Sequence, residues 1–375
     1  MSDSKNDGSG RPAGSPLTGV SGMRKESSVC QRANYTEARG IMGEAESRFV
    51  GAEPGDEGTA DRLLFPGLER GEVAVLFGPG ASGKSFFILQ AMAATATFRL
   101  SYIRHDAPGE PVWSDTLGLD VRTRAKCLYI SAEDRVQHIG RRFQAIEARL
   151  FGWEAVTHRR PDGSLHTAMP PSHPWYPGYL KDIKENLIVC PFRGLRLPFT
   201  GENGGGALAE ALSEMIGRHR FEAVVFDPLV KFHELDEYSS LRMSNLMSQM
   251  EWIADRTGAA IVLVHRTAGN GYGSGDSRRA AGGASAIIDN VGFAANLRWM
   301  SEDEFENSEI SLPEDIPVAA SQESTRKSYV CFNVVKQNHG RVPEPAWFFR
   351  GSGGVLVPGV RVAGRAATRR GVRVL

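Results

Sequence analysis

The chain has 375 residues, enough for one large domain with insertions or for a domain with extended ends. Its 44 basic and 44 acidic residues cancel, so bulk charge does not favour a protein that coats nucleic acid. The four cysteines are too scattered for a metal site and too few for a disulfide framework, and no apolar run is long enough for a membrane span; we therefore expect a cytoplasmic protein with reduced thiols.

Composition divides the chain into three parts. Residues 1–60 are rich in Gly, Ser and charge without a sustained apolar period, which predicts a flexible N-terminal segment. Residues 61–358 are expected to form one domain, and residues 359–375 a basic tail with five arginines and no acid. Irregular stretches predict insertions in the domain near 99–124, 152–182 and 301–325. The last of them is acidic and is expected to be a solvated loop.

Apolar runs and helical stretches alternate along the domain. The runs predict strands at 71–78, 126–134, 186–190, 222–227, 259–265 and 328–336. Helices are predicted after residue 84 and over Val136–Leu150, Gly206–Arg218 and Leu241–Arg256. This alternation predicts an α/β fold with a mainly parallel central sheet and helices on both faces.

The segment GPGASGKS, Gly78–Ser85, fits the pattern G-x-x-x-x-G-K-[ST] between a predicted strand and a predicted helix. Backbone N–H groups in such a loop and the helix N-terminus favour phosphate, Lys84 is expected to reach the β and γ oxygens, and Ser85 to ligate Mg²⁺. The sequence therefore predicts ATP and Mg²⁺ as ligands. The residues expected to bind the nucleotide are Gly78, Pro79, Gly80, Ala81, Ser82, Gly83, Lys84, Ser85 and Phe86.

Two further carboxylates stand at the ends of predicted strands, where an open parallel sheet faces its ligand. Asp227 ends the run AVVFD and is predicted to hold Mg²⁺ through water; alternatively it caps the turn at Pro228. Glu133 follows the run CLYIS and is the candidate base for hydrolysis; alternatively it is an acid placed at a helix N-terminus by the helix dipole.

The order of these motifs resembles that of the RecA-like P-loop ATPases, and most nearly the plasmid RepA-type hexameric replicative helicases, AAA family ATPases with a DnaB/RecA-like core. The resemblance covers roughly Leu63 to Leu356. It rests on the phosphate loop, the strand ending in AED, the FD pair and the strand ending in His265. The segments that carry it are CLYISAEDRVQHIGRRFQAI, EAVVFDPLVKFHELDE, IVLVH, ASAIIDN, NVVKQNHG and GGVL.

The resemblance implies a homo-oligomeric ring of six subunits that binds ATP between neighbours and single-stranded DNA in its channel. Lys84, Ser85, Glu133 and Asp227 match the family's motif positions, and His265 matches its polar γ-phosphate sensor. The familiar pair of histidines reads His-Arg in this chain, so the second histidine is missing.

The family's arginine finger is also missing, because Gly282 stands at its place. Arg278 and Arg279 lie just upstream and could replace it after a loop shift. Lys336 and Arg341 are the other candidates, as a related pair supplies this charge in DnaB-like rings. The resemblance also implies that Arg142, on the helix after Glu133, lies near the nucleotide or a subunit interface; alternatively it is a solvated helix arginine.

The segment RTAGNGYGSGDSRRAAGG is the predicted DNA-binding loop. It combines glycines with Arg266, Tyr272, Arg278 and Arg279, a composition suited to tracking a phosphate backbone and stacking on bases. Segments of this composition are also simply flexible.

Three functions are compatible with these features. The first is an ATP-driven ring that translocates on single-stranded DNA and acts as a helicase in plasmid, phage or mobile-element replication. The second is a nucleotide-gated regulatory or assembly ATPase without unwinding activity, which Gly282 would permit. The third, disfavoured by the resemblance to ring helicases, is a recombination mediator that forms filaments on DNA.

Overall fold

The fold is that of a computed structural model, which describes the greater part of residues 64–364. The described residues are 64–97, 116–119, 123–151, 156–159, 165–168, 176–193, 199, 206–235, 239–267, 285–313, 316 and 325–364.

Seven helices and thirteen strands lie within this described part of the chain. The helices are α1 Lys84–Ala96, α2 Val136–Leu150, α3 Tyr176–Asn186, α4 Gly206–His219, α5 Ser240–Thr257, α6 Ser285–Asn290 and α7 Glu302–Asn307. The strands are β1 Val73–Pro79, β2 Cys127–Ser131, β3 Val156–Arg159, β4 Leu165–Ala168, β5 Leu187–Pro191, β6 Ala223–Asp227, β7 Ala260–Thr267, β8 Phe293–Trp299, β9 Ser308–Ser311, β10 Tyr329–Gln337, β11 Ala346–Arg350, β12 Leu356–Pro358 and β13 Arg361–Gly364.

Nine of these strands form the central sheet, in the order β12-β11-β10-β8-β1-β7-β6-β2-β5. The strands from β8 to β5 in this order run parallel to their neighbours, and β10, β11 and β12 extend the sheet with antiparallel pairs. Strands β1, β6 and β7 read as nearly unbroken apolar runs because both of their faces are buried. The predicted α/β fold with a mainly parallel sheet is confirmed.

Successive residues of the central strands point into two different apolar cores. Leu76 and Val264 pack on the face covered by α1 and α2. Phe77 and Leu263 pack on the opposite face, which α4, α5 and α6 cover. Because successive side chains point to opposite faces of a strand, β1 packs against a layer of helices on each face of the sheet, as predicted.

The antiparallel part of the sheet was predicted only in part. Strand β10 matches a predicted strand, but β8 was missed because its sequence FAANLRW contains two alanines and a buried asparagine in place of β-branched residues. Strand β8 lies between β1 and β10, so it joins the parallel and antiparallel parts.

Regular structure also occurs in the stretches expected to be irregular. The acidic stretch contains α7, whose N-terminus has a capping box formed by Ser301 and Glu304, and β9. Strand β9 pairs with β13, which lies in the segment expected to be a tail. The expectation of a loop is wrong for these residues. The capping box of α7 is a local signal that was missed, whereas the pairing of β9 with β13, at least 50 residues away, leaves no local pattern. The predicted domain limits stay predictions.

A buried glutamine connects α1 to the antiparallel edge of the sheet. The Gln90 amide donates to the Leu356 carbonyl and accepts from the Leu356 N–H, at 2.9 Å in both cases, and the glutamine is fully buried. This pair of bonds satisfies the backbone of β12 where it meets the helix that follows the phosphate loop. Among the described helices, none combines the length and apolar character needed to cross a lipid bilayer.

Replacing Gln90 with alanine should lower the free energy of unfolding by about 2–4 kcal/mol, because two buried backbone groups lose their partners. Urea unfolding followed by circular dichroism measures this change. Gln137→Ala, on the exposed face of α2, is the matched control and should change stability by less than about 0.5 kcal/mol. Equal stability of the two variants would contradict the role given to Gln90.

Candidate active site

The phosphate loop connects the carboxyl end of β1 to the first turn of α1, which begins at Lys84. The predicted order of strand, loop and helix is therefore confirmed. Gly78 lies so close to β8 that a Cβ on it would be 2.1 Å from the Leu297 carbonyl oxygen, and its φ is +154°. A side chain here would push β1 away from β8, which gives this glycine a packing role besides its place in the loop.

Lys84 is buried at the base of the loop. Its Nζ donates to the carbonyl oxygens of Gly78 and Pro79, at 2.8 and 2.7 Å. Burial lowers the pKa of Lys84 to about 8, an effect opposed by the negative charges of Asp227 and Glu133 and strengthened by the positive charge of Arg266. The ammonium group is thus held in place by carbonyls, and a phosphate oxygen could replace them as its partner.

Asp227 lies at the carboxyl end of β6, as the sequence predicted, and is buried. Its Oδ2 accepts a hydrogen bond of 2.6 Å from the Tyr129 hydroxyl, and its carboxyl group is also hydrogen-bonded to Ser85. Burial raises the pKa of Asp227, while the two hydroxyl groups and the Lys84 charge oppose this rise. The hydrogen bond to Ser85 brings the two predicted Mg²⁺-binding residues together.

These oxygen atoms fit a magnesium ion. The residues that the structure describes contain no cluster of three or more acidic, histidine or cysteine side chains that could hold a metal alone. Mg²⁺ bound with ATP does not need one, since it takes most of its ligands from phosphates and water and only one or two from the protein. The Ser85 hydroxyl would be a direct ligand, the Asp227 carboxylate would hold the ion through water, and the ion would neutralise charge on the phosphates.

The acids that follow β2 have different surroundings. Glu133 is exposed, and its charge acts on Lys84, so it faces the same space. Asp134 forms a two-pronged ion pair with Arg142, at 2.6 and 3.1 Å. The Arg142 guanidinium also lies 5.7 Å from the centre of the Phe86 ring. Arg142 therefore lies beside the end of the phosphate loop. Because it is paired with Asp134 and packed near Phe86, it is not simply a solvated helix arginine.

His265 lies on β7 in register with Phe77 of the phosphate-loop strand. It is 1% exposed, and neither ring nitrogen has a hydrogen-bond partner among the described residues. Burial, together with the nearby His233 and Lys84, lowers the pKa of His265 to about 4, so the ring is neutral at pH 7. A neutral imidazole with unused nitrogens next to Lys84 is suited to sensing a phosphate oxygen.

Lys336 and Arg341 lie toward the opposite edge of the sheet. Lys336 is near the end of β10, which reaches the start of β8, and its Nζ donates to the carbonyls of Ile288 and Asp289 at 3.2 and 2.9 Å. Arg341 follows β10 and is exposed. Through β8, Lys336 is level with Val75 of β1, about 10 Å along the strand from Gly78 at the start of the phosphate loop. The Lys336 ammonium is therefore held by the carbonyls of Ile288 and Asp289 and not by the phosphate loop of its own subunit.

Two site residues were missed from the sequence. Arg350 on β11 donates to the Ala81 carbonyl at 3.2 Å, and Tyr129 holds Asp227; both contacts join residues that are far apart in sequence and leave no local pattern. Arg266 has a contact that the sequence did not predict, because it lies against the phosphate loop at Gly80; its predicted contact with DNA stays a prediction. Tyr272, Arg278, Arg279 and Gly282 of the predicted DNA-binding segment lie outside the described residues.

Tyr129→Phe should raise the Mg²⁺ concentration that gives half-maximal ATP hydrolysis by about tenfold, because Asp227 loses a hydroxyl donor that orients it. Titration of steady-state hydrolysis with Mg²⁺ measures the shift. The control is Tyr179→Phe: this hydroxyl is buried but has no hydrogen-bond partner within the described residues. An equal shift in both variants would mean that Tyr129 acts only through packing.

The arrangement agrees with a comparison of the chain with known protein families. Residues 48–271 match the model of a family described as an AAA domain. The match covers more than half of the chain and includes the phosphate loop, Glu133, Asp227 and His265. This chain belongs to the AAA-domain family, and its Gly78–Ser85 loop is the phosphate loop of a P-loop ATPase.

Proposed function

We propose that the chain is an ATP-hydrolysing motor of the RecA-like type that works as a ring on single-stranded DNA, translocating and unwinding in plasmid, phage or mobile-element replication. The observation that carries this proposal is the arrangement of β7 and β8 on the two sides of β1. The glycine- and arginine-rich segment predicted to contact DNA connects these two strands in sequence.

Each residue of the site has a separate task in hydrolysis. Lys84 binds the β and γ oxygens, and Glu133 orients a water molecule and accepts its proton as it attacks the γ phosphorus. Asp227 and Ser85 would hold a magnesium ion, which would supply positive charge to neutralise the phosphates. His265, neutral and buried, donates from a ring nitrogen to a phosphate oxygen.

The sheet offers a direct mechanical connection between the two ligands. The predicted DNA loop begins with Arg266 and Thr267, the last two residues of β7. A displacement of this loop would be transmitted to β1 and its phosphate loop, because β7 and β1 share a ladder of hydrogen bonds. ATP turnover and DNA movement are coupled in this way.

The ring is supported by the position of Lys336 and Arg341. Both lie toward the amino edge of β1, opposite the nucleotide site of their own subunit. In a closed head-to-tail ring, this edge of one subunit faces the carboxyl edge of the next, so these cations can reach a neighbour's nucleotide. Lys336 must then leave the carbonyls at the end of α6, which makes it responsive to assembly.

Single-stranded DNA should raise steady-state ATP hydrolysis by the purified protein at least about fivefold, since a motor releases its products faster when its track is bound. A coupled assay with Mg²⁺, with and without a single-stranded oligonucleotide, measures this. Lys84→Ala is the control and should abolish turnover in both conditions. Hydrolysis that is slow and indifferent to DNA would contradict the motor and favour a regulatory or assembly ATPase, as the glycine at position 282 would permit.

Glu133→Gln should keep nucleotide affinity within about twofold of the wild type and lower kcat by at least about 100-fold, because the amide cannot accept the proton of the attacking water. Fluorescent-nucleotide titration and steady-state kinetics measure the two quantities. Glu251→Gln, an equal change at an exposed position of α5, is the control. Wild-type turnover in purified Glu133→Gln would remove Glu133 from this role.

A further inference from the structure

Arg266 lies directly over the phosphate loop. A Cβ built on Gly80 would be 2.2 Å from Nη2, 2.4 Å from Nε and 2.6 Å from Cζ of Arg266. The whole guanidinium plane therefore covers this glycine. Arg266 is exposed and has no ion pair with any residue that the structure describes. Its donors are available to a ligand in the loop.

The contact with the Arg266 guanidinium gives a reason for the glycine at position 80. The loop pattern requires glycine only at Gly78 and Gly83, and Gly80 occupies one of its variable positions. The φ of Gly80 lies outside the range that favours glycine, so the backbone itself would accept alanine. An alanine here would require the flexible end of the Arg266 side chain to move away, so Gly80 and Arg266 form a contact pair.

The charges around the loop show which part of a ligand Arg266 would meet. Lys84 interacts with Arg266 as a like charge and with Asp227 and Glu133 as opposite charges, so these four charged groups lie near one another. Two cations are thus balanced by two carboxylates. Lys84 is expected to reach the β and γ oxygens of a bound triphosphate, and Arg266 covers the same loop at Gly80, so the terminal phosphate is the part of the ligand nearest to both. Its planar fork of N–H donors suits two phosphate oxygens.

We propose that Arg266 binds the terminal phosphate of ATP within its own subunit and is the residue by which the site distinguishes ATP from ADP. The proposal rests on the proposed ATPase function and deepens it. It differs from the sequence-based prediction of Arg266 as a DNA contact. It also gives the chain a phosphate-binding arginine in cis, on a strand end, in a sequence that has Gly282 at the position of the family's arginine finger.

Arg350 provides a contrast on the other side of the loop. Its Nη2 donates to the Ala81 carbonyl, and burial lowers its pKa. A Cβ on Gly83 would be 3.2 Å from the same nitrogen. Arg350 is thus bound to the loop backbone and supports its shape, whereas Arg266 has no such hydrogen bond among the described residues.

The test measures the affinities of ADP and of ATPγS, a slowly hydrolysed analogue that keeps the terminal phosphate, with Mg²⁺ present. Arg266→Ala should weaken ATPγS binding by about tenfold and leave ADP binding within about twofold, because only ATPγS loses a charge-assisted contact. It should also lower kcat by about 100-fold or more, the usual effect of removing one preorganised donor from the transition state. Arg242→Ala, an exposed arginine on α5, is the control.

Gly80→Ala tests the pairing independently. The added methyl occupies the position of the guanidinium, so this variant should lose the preference for ATPγS by a similar factor. The double variant should lose no more than either single one, since both changes remove the same contact. An unchanged ratio of ATPγS to ADP affinity in Arg266→Ala overturns the proposal, as does an equal loss of both nucleotides. If the wild type does not hydrolyse ATP but Arg266→Ala still loses the preference for ATPγS over ADP, the result would support the proposal and refute the proposed function.

Discussion

The structure depends on the burial of two opposite charges, those of Lys84 and Asp227, at the carboxyl edge of a parallel sheet. Neither charge is stable there alone, because burial lowers the pKa of the lysine and raises that of the aspartate. Carbonyls of Gly78 and Pro79 hold the first, and hydroxyl groups of Tyr129 and Ser85 hold the second. The site thus holds a positive and a negative group in fixed positions. This arrangement suits a ligand that has both an anionic and a cationic part, such as a magnesium–triphosphate complex.

The topology decides which residues can share this edge. Strand β1 carries the phosphate loop and lies between β7 and β8, while β6 and β2 follow β7 and end in the carboxylates. Loops that leave the parallel strands at this edge surround the phosphate loop, so His265 and Arg266 of β7 and Glu133, which follows β2, lie near it. Strand β10 runs antiparallel to β8, so it brings Lys336 and Arg341 to the opposite edge.

The sequence was sufficient to predict those parts of the fold and of the site that have a local sequence pattern. The phosphate loop follows a fixed pattern, and Asp227 and Glu133 end apolar runs that read as buried strands, so the α/β fold and the main site residues were predicted. Contacts between distant strands leave no such pattern: Tyr129 is an ordinary apolar-run residue, and Arg350 is more than 260 residues from the loop it supports. Strand β8 escaped prediction because its two alanines and its asparagine have little preference for strands, although β8 is paired on both sides within the sheet.

The most direct test of the account is a double-mutant cycle for ATP affinity, with Mg²⁺ and with a chelator, using Lys84→Met, Asp227→Asn and the double variant. If the two charges form one site, Mg²⁺ strengthens ATP binding in the wild type, Asp227→Asn removes this magnesium effect, and the two losses are not additive. A magnesium effect that persists in Asp227→Asn, or losses that simply add, would contradict the claim that Lys84 and Asp227 act together on Mg·ATP.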